Sequence, residues 1–374
     1  MSLRDRWHLE LERLKEQGRY RTLTPPTGID FSSNDYLGYS KRAWRTADLP
    51  HSGTASRLLR GQHPIWNEVE SRLAAWHHAE AALMMTSGYA ANEGLLSTVI
   101  EPDDTVFSDQ YNHASIIDGL RLSRANKMIY PHNDLNQLEA MMQSAAPKRK
   151  EDANWFVVTE SLFGMEADRA PLRELVELTE RYDANLIVDE AHATGCFGPA
   201  GSGLVDQFGL RQRVLATVHT GGKALAVPGA YIVGSRLLKD LLINRCRHFI
   251  YTTAIPPLVG AWWLDMLDWV PADEDARTRL HEAAREFRTQ ARRDGSGIDV
   301  GGGDFIATWH ASNDGMAVEI ASRLQGLGFD VRAIRPPTVP PGGARVRISI
   351  HADHEPAALR RLADALIQIV RPSP

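Results

Sequence analysis

Apolar residues along this chain fall into short runs, separated by stretches in which they recur every three or four positions. AALMMT (81–86), TVFSD (105–109), WFVVTE (155–160), NLIVDE (185–190), VLATVH (214–219) and AYIVGS (230–235) are of strand length. Their nearly unbroken apolar character predicts strands covered on both faces. Between two of them, PLRELVELTERY (171–182) opens with proline at a first helical position and carries Leu172, Leu175, Val176 and Leu178 along one side, the pattern of a helix laid on a sheet. Strands alternating with helices imply a mostly parallel sheet with helices on both sides. Ahead of this body, Leu3, Leu11 and Leu14 have helical spacing, and a turn-rich arm with Pro25, Pro26 and Gly28 follows. The alternation changes near Pro271, where a charged helical stretch (272–293) begins. A glycine cluster (301–304), an amphipathic helix around 315–327, a proline-rich loop (335–343), the strand RVRISI (345–350) and a last helix from about Pro356 come after it. The expected parts are thus an N-terminal helix and arm (1–38), a large domain (39–271) and a smaller C-terminal α/β domain (272–374).

Composition narrows the partners. A chain of 374 residues is long enough for two lobes. Its 42 basic and 47 acidic side chains leave a net charge of -5, with no run of five or six like charges, which argues against nucleic acid and anionic membrane. The first seventeen residues lack the apolar core of a signal peptide, and nothing later approaches a membrane span, so a cytoplasmic protein is expected. Cys196 and Cys246, fifty residues apart, suggest neither a disulfide framework nor a metal site. Both read as packing residues.

In an open parallel sheet, ligands sit beyond the carboxyl ends of the strands, so polar residues that directly follow an apolar run are the first candidates. Asp189 ends the run in LIVDEAHATG (186–195), with His192 three residues on. A carboxylate there needs a cationic or hydrogen-bonding partner, and a protonated pyridine nitrogen has the right sign; an aspartate that caps the next turn is the plainer reading. DEAH also invokes a helicase box, but the chain has no GxxxxGK[ST] loop to hold phosphates. Lys223 follows Thr220, Gly221 and Gly222 after another run, 34 residues beyond Asp189 with one strand between. Small residues before a lysine let a planar ligand approach, and a shielded amine condenses with an aldehyde. A third run ends at Ser87 and Gly88, where a helix start offers free N–H groups to a phosphate. His113 follows a fourth and presents a flat ring for stacking, and Arg347 alternates with Val346 and Ile348, where a guanidinium fork suits a carboxylate. Arg345 nearby represents the plain alternative, an arginine facing solvent.

These pieces match a known pattern. SNDYLGYS (33–40), SGTASRLLRG (52–61), TSGYAAN (86–92), NHASIIDG (112–119), TESLFGMEAD (159–168), VDEAHATG (188–195), HTGGK (219–223), RHFIYTTAIPP (247–257) and AIRPPTVP (333–340), in this order, resemble the α-oxoamine synthases over roughly residues 30–355. The resemblance implies the type I aminotransferase-like α/β fold, pyridoxal 5'-phosphate (PLP) as cofactor, and a homodimer whose subunits share active sites. It implies that Lys223 carries the cofactor covalently, Asp189 pairs with the pyridinium nitrogen, His192 bonds the phenolic oxygen and His113 stacks on the ring. Ser87, Gly88, Tyr89 and Thr220 would surround the phosphate, with Thr252 and Thr253 contributed by the opposite subunit; Glu160 falls in the cofactor-binding set as well. Asn34 and Arg347 match positions near the amino-acid carboxylate. Two departures stand out: Gly164 replaces a serine found in many relatives beside the cofactor oxygen, and ALAVPG (224–229) is poorer in glycine than usual.

NDYLG, SRLLRG and AIRPPTVP lean toward the family members that condense L-alanine with a pimeloyl thioester, on CoA or carrier protein, and release carbon dioxide. NHASIIDG leans toward those that use glycine and acetyl-CoA. A non-catalytic partner subunit is the reading from another class, and Lys223, Asp189 and His192 together argue against it. A nicotinamide dehydrogenase would need a GxGxxG after a strand, which is absent.

Overall fold

The computed structural model describes residues 1–293 and 298–370. They form two compact units: Leu37–Phe163 with Arg169–Arg277, and Met1–Tyr36 with Gly164–Asp168 and the chain from Thr278 onward. These boundaries differ from the expected 1–38, 39–271 and 272–374. The N-terminal helix and arm group with the C-terminal residues, because β1 (Ile29–Asp30) pairs in parallel with β10 (Phe329–Asp330). The other boundary falls at Arg277, inside the helix Glu274–Ala291.

The larger unit is built on a seven-stranded sheet of β2 (Ala81–Met85), β3 (Thr105–Asp109), β4 (Asn126–Tyr130), β5 (Trp155–Glu160), β6 (Ala184–Asp189), β7 (Ala216–Thr220) and β8 (Ala230–Gly234), in the order β2-β8-β7-β6-β5-β3-β4. Only β8 runs against its neighbours. Every expected strand is present, and β5 is buried along its whole length, as an unbroken apolar run requires. The sequence pattern did not announce β4. It is one of the two edge strands, and unlike the buried edge strand β2 it turns Asn126, Lys127 and Ile129 to solvent, so no apolar run marks it. Leu83, Val106, Phe156, Val158, Ile187, Val218 and Ile232 pack with Leu95, Leu96, Ile116 and Leu120 of the helices Gly88–Val99 and Ala114–Ser123. Those two helices touch at Gly119, where a Cβ would lie 3.0 Å from Asn92 O; only glycine lets them come so close.

In the smaller unit, β9 (Ile306–His310), β12 (Arg345–Ser349) and β11 (Arg332–Ile334) form an antiparallel sheet with β12 central. The helices Asp314–Gly326 and Pro356–Val370 lie close to their expected positions. Arg345 corrects the expectation of a solvent-facing side chain: it is buried, and its Nη1 donates to Met165 O at 2.8 Å and Glu166 Oε1 at 3.3 Å. Cys196 and Cys246 are both buried. No helix among the described residues is long and apolar enough to cross a membrane.

Candidate active site

Register places the candidate residues of the larger unit at one edge of its sheet. β5, β6 and β7 run parallel, with Glu160 opposite Asp189 and Asp189 opposite Val218, so Glu160, Asp189 and Thr220 all close strands at the same edge. Asp189 is 6% exposed. Its Oδ1 accepts from Ala191 N–H at 2.8 Å and its Oδ2 from Asn92 Nδ2 at 2.7 Å. Two neutral donors hold the carboxylate in position and leave acceptor capacity for a cation. His192 lies buried in the turn that follows.

Lys223 sits half-buried in the tight turn after β7. Gly221 N–H donates to Gly229 O, and Val227 N–H returns to Gly221 O. A Cβ on Gly221 would meet Val227 O at 2.3 Å and the Trp263 ring at 2.6 Å, so this glycine is what allows the turn to close. Lys223 and Asp189 both act on His113: withdrawal from water is the main cause of its pKa falling below the ordinary histidine value, Asp189 pulls it up and Lys223 pushes it down. Three residues singled out separately in the sequence therefore share one electrostatic neighbourhood.

Ser87 caps the helix Gly88–Val99, its Oγ accepting from Ala90 N–H at 3.1 Å. Gly88 and Tyr89 open that helix, where main-chain N–H groups have no partner inside it. A Cβ on Gly88 would lie 3.5 Å from Thr220 Cβ and 3.6 Å from its Oγ1, so the helix start and the end of β7 adjoin although β8 separates their strands. Tyr89 donates its hydroxyl to Asp118 and makes a T-shaped contact with the His113 ring, 6.1 Å between centroids. Thr252 lines a cavity with Thr86 and Arg57, and Thr253 is exposed.

A second tier of polar groups lies beneath. Thr194 Oγ1 donates to Glu190 O and meets His219 Nδ1 at 2.7 Å, which ties the turn after β6 to β7. Glu190 Oε1 accepts from Leu204 and Val205 N–H, and burial pushes its carboxyl up to about 7.

In the smaller unit Arg347 is also 6% exposed. Its Nε donates to Gly164 O at 2.7 Å, Nη1 to Ser349 Oγ at 2.8 Å, and Nη2 to Asn34 Oδ1 at 2.9 Å and Tyr36 OH at 3.1 Å. Asn34 and Arg347, distant in sequence, are thus direct partners. Gly164 enters through its carbonyl, a contribution that any residue would make.

Asn92 and Ser115 were missed by sequence reasoning. Asn92 Nδ2 also donates to Ser115 Oγ at 2.9 Å, and Ser115 Oγ lies 2.8 Å from His113 Nδ1. A signal existed: Asn92 shares the apolar stripe of Leu95, Leu96 and Val99, where a polar side chain needs a buried partner.

The donor set suits a flat, anionic aldehyde. A carboxylate at a strand end would face a pyridinium, a helix start beside a threonine hydroxyl would face a phosphate, and a shielded amine would face the aldehyde carbon. Comparison with known proteins agrees. The aminotransferase class I and II family matches residues 26–366. A protein of Geobacillus kaustophilus named putative 8-amino-7-oxononanoate synthase is 42% identical over 355 residues, 92% of this chain and 89% of its own. The 8-amino-7-oxononanoate synthase of Chlorobaculum parvum is 39% identical over 371 residues, 92% and 93% of the two chains. Among solved structures, serine palmitoyltransferase from S. paucimobilis with PLP and myriocin bound superposes with a TM-score of 0.86 over 99% of this chain and 98% of that one; at 24% identity it attests the fold.

Proposed function

We propose a reaction for this chain from one premise: it belongs to the class I and II aminotransferase family and, within it, to the α-oxoamine synthases. The cofactor is pyridoxal 5'-phosphate, and the reaction is the decarboxylative condensation of L-alanine with a pimeloyl thioester to give 8-amino-7-oxononanoate, a step of biotin synthesis. The observation that supports the reading is that Asp189, which closes a central strand, and Lys223 both act electrostatically on His113, in a chain 42% identical to a putative synthase of this kind.

When bound, PLP supplies an electron sink for charge that develops at the amino-acid Cα. Lys223 Nζ would hold the cofactor and, once alanine displaces it, take the Cα proton from close range. Asp189, fixed by Asn92 and Ala191, would keep the ring nitrogen protonated. His192 would bond the phenolic oxygen, and His113 would cover the ring. Ser87, Gly88, Tyr89 and Thr220 would hold the phosphate, with Glu160 beside Asp189 at the rim. Arg347 and Asn34 would receive the amino-acid carboxylate. The balance is one carbon–carbon bond formed at the acyl carbonyl, one carbon–sulfur bond broken to release the thiol, and the Cα–carboxylate bond broken to release carbon dioxide. One proton is taken up overall, and Lys223 Nζ would return a proton to Cα.

A homodimer in the cytoplasm completes the proposal, with Thr252 and Thr253 serving the neighbouring subunit's site. The deciding experiment supplies purified protein with alanine or glycine and a series of acyl thioesters on CoA or carrier protein, then identifies products by mass. Alanine with pimeloyl thioester should yield amino-oxononanoate. Turnover of glycine with acetyl-CoA alone would reassign the substrate within the family.

A further inference from the structure

We propose that Asp189, through Asn92 and Ser115, aims a donor at His113 Nδ1, so that this imidazole is neutral with its one proton on Nε2. The inference builds on the reading of Asp189 and His113 as cofactor-facing residues. It makes Asn92 and Ser115 positioning residues for them.

The chain of bonds leaves little freedom. Ser115 N–H donates to His113 Nδ1 at 3.2 Å, and this bond makes His113 the cap of the helix Ala114–Ser123. A main-chain N–H only donates, so Nδ1 must present its lone pair. Ser115 Oγ lies 2.8 Å from the same nitrogen, and its own orientation is set from the far side. Asn92 Nδ2 bonds Asp189 Oδ2 at 2.7 Å and Ser115 Oγ at 2.9 Å. An ionised carboxylate accepts and never donates. The opposite amide orientation would press a carbonyl oxygen against it, so the nitrogen of Asn92 must face Asp189. Both amide hydrogens are then committed, one to Asp189 and one to Ser115. The Ser115 hydroxyl proton therefore points at His113 Nδ1, where a second ring proton would meet two donors. Asn92 and Ser115 are both buried, so water does not compete for these bonds as it would at the surface.

Among the described residues, the charged and titratable groups that bear on His113 include Asp189, Lys223 and, through a T-shaped ring contact, Tyr89. An imidazolium stacked on a pyridinium would set two like charges face to face. The network avoids this and leaves a neutral donor at Nε2, fit to bond a substrate oxygen without adding charge to the ring that stores electrons. Asp189's direct field favours an imidazolium; withdrawal from water and the two donors at Nδ1 oppose it and leave the ring uncharged.

The test is long-range proton–nitrogen NMR on protein carrying nitrogen-15 histidine, with and without PLP, from about pH 8 to about pH 5. The His113 signals are identified by their loss in His113→Gln. The expected spectrum shows a bare Nδ1 and a protonated Nε2, persisting below the ordinary histidine midpoint. A proton on Nδ1, or an imidazolium at neutral pH, would overturn the inference whether or not any variant folds. Ser115→Ala and Asn92→Ala should each raise the midpoint by about one pH unit, and Ser115→Thr should restore it. An unchanged midpoint in folded Ser115→Ala would also overturn the inference. Failure of the cofactor reading is separable: PLP would not bind, while the apo-protein spectrum would still report the ring's protonation.

Discussion

Asp189 and Arg347 lie in different units, are buried to the same extent, and both hydrogen-bond to neutral groups. They differ in saturation. Arg347 commits its fork to four acceptors, whereas Asp189 receives two donors and has lone pairs to spare. Burying a charge is costly, so each position suits a ligand of opposite sign. Asp189 can accept one as it stands. On the proposed reading Arg347 would trade a partner, Asn34 or Tyr36, for an incoming carboxylate. On that reading the carboxylate side would be preorganised for chemistry and the arginine side for exchangeable binding, and substitutions should separate the two.

The largest effect should fall on the larger unit's amine. Lys223→Ala is expected to lose about a thousandfold or more in kcat together with the yellow colour of the purified protein. A stopped assay and an absorption spectrum check both, and a colourful, active variant would break the comparison at its stronger end. The buried titratable groups of the two units should next pull stability in opposite directions with pH. Glu190 in the larger unit is raised by burial from 4.5 to about 7, so its contribution is present below 4.5 and lost as pH rises through 7. His354 in the smaller unit is lowered, first by burial and then by His351, from 6.5 to about 4. Its contribution is present above 6.5 and lost as pH falls through 4. Each shift corresponds to on the order of 3 kcal/mol. Denaturant melts between about pH 4 and about pH 8 should lose the alkaline decline in Glu190→Gln and the acid decline in His354→Gln. Arg347→Lys comes third: the fork is lost while the charge remains, and KM for alanine should rise about tenfold to a hundredfold with a smaller change in kcat. Smallest is Ser87→Ala, which removes a helix cap worth about 1 kcal/mol and should weaken PLP binding more than it slows the bound enzyme, as fluorescence titration against kcat would show.

Central strands were legible in the sequence because burial on both faces leaves an unbroken apolar run, as in β5 and β6. The edge strand β4 was not, because its exposed face carries polar residues, and β11 has only three residues, too short to show a period. Lys223 and Asp189 were legible since each follows a buried strand by a few residues at most. Arg345 was misread, because alternation within β12 separates two faces without telling that both are covered. Asn92 and Ser115 stayed hidden for a different reason: a polar residue on a helix reads as surface until the neighbouring helix is known, and Gly119 is what brings that neighbour near.

The account rests on Lys223 as the residue that bonds vitamin B6. Reduction of the PLP-loaded protein with borohydride, followed by peptide mapping, tests this most directly. A pyridoxyl label on the peptide that contains Lys223 is the predicted result; a label on another lysine, or none at all, would contradict it.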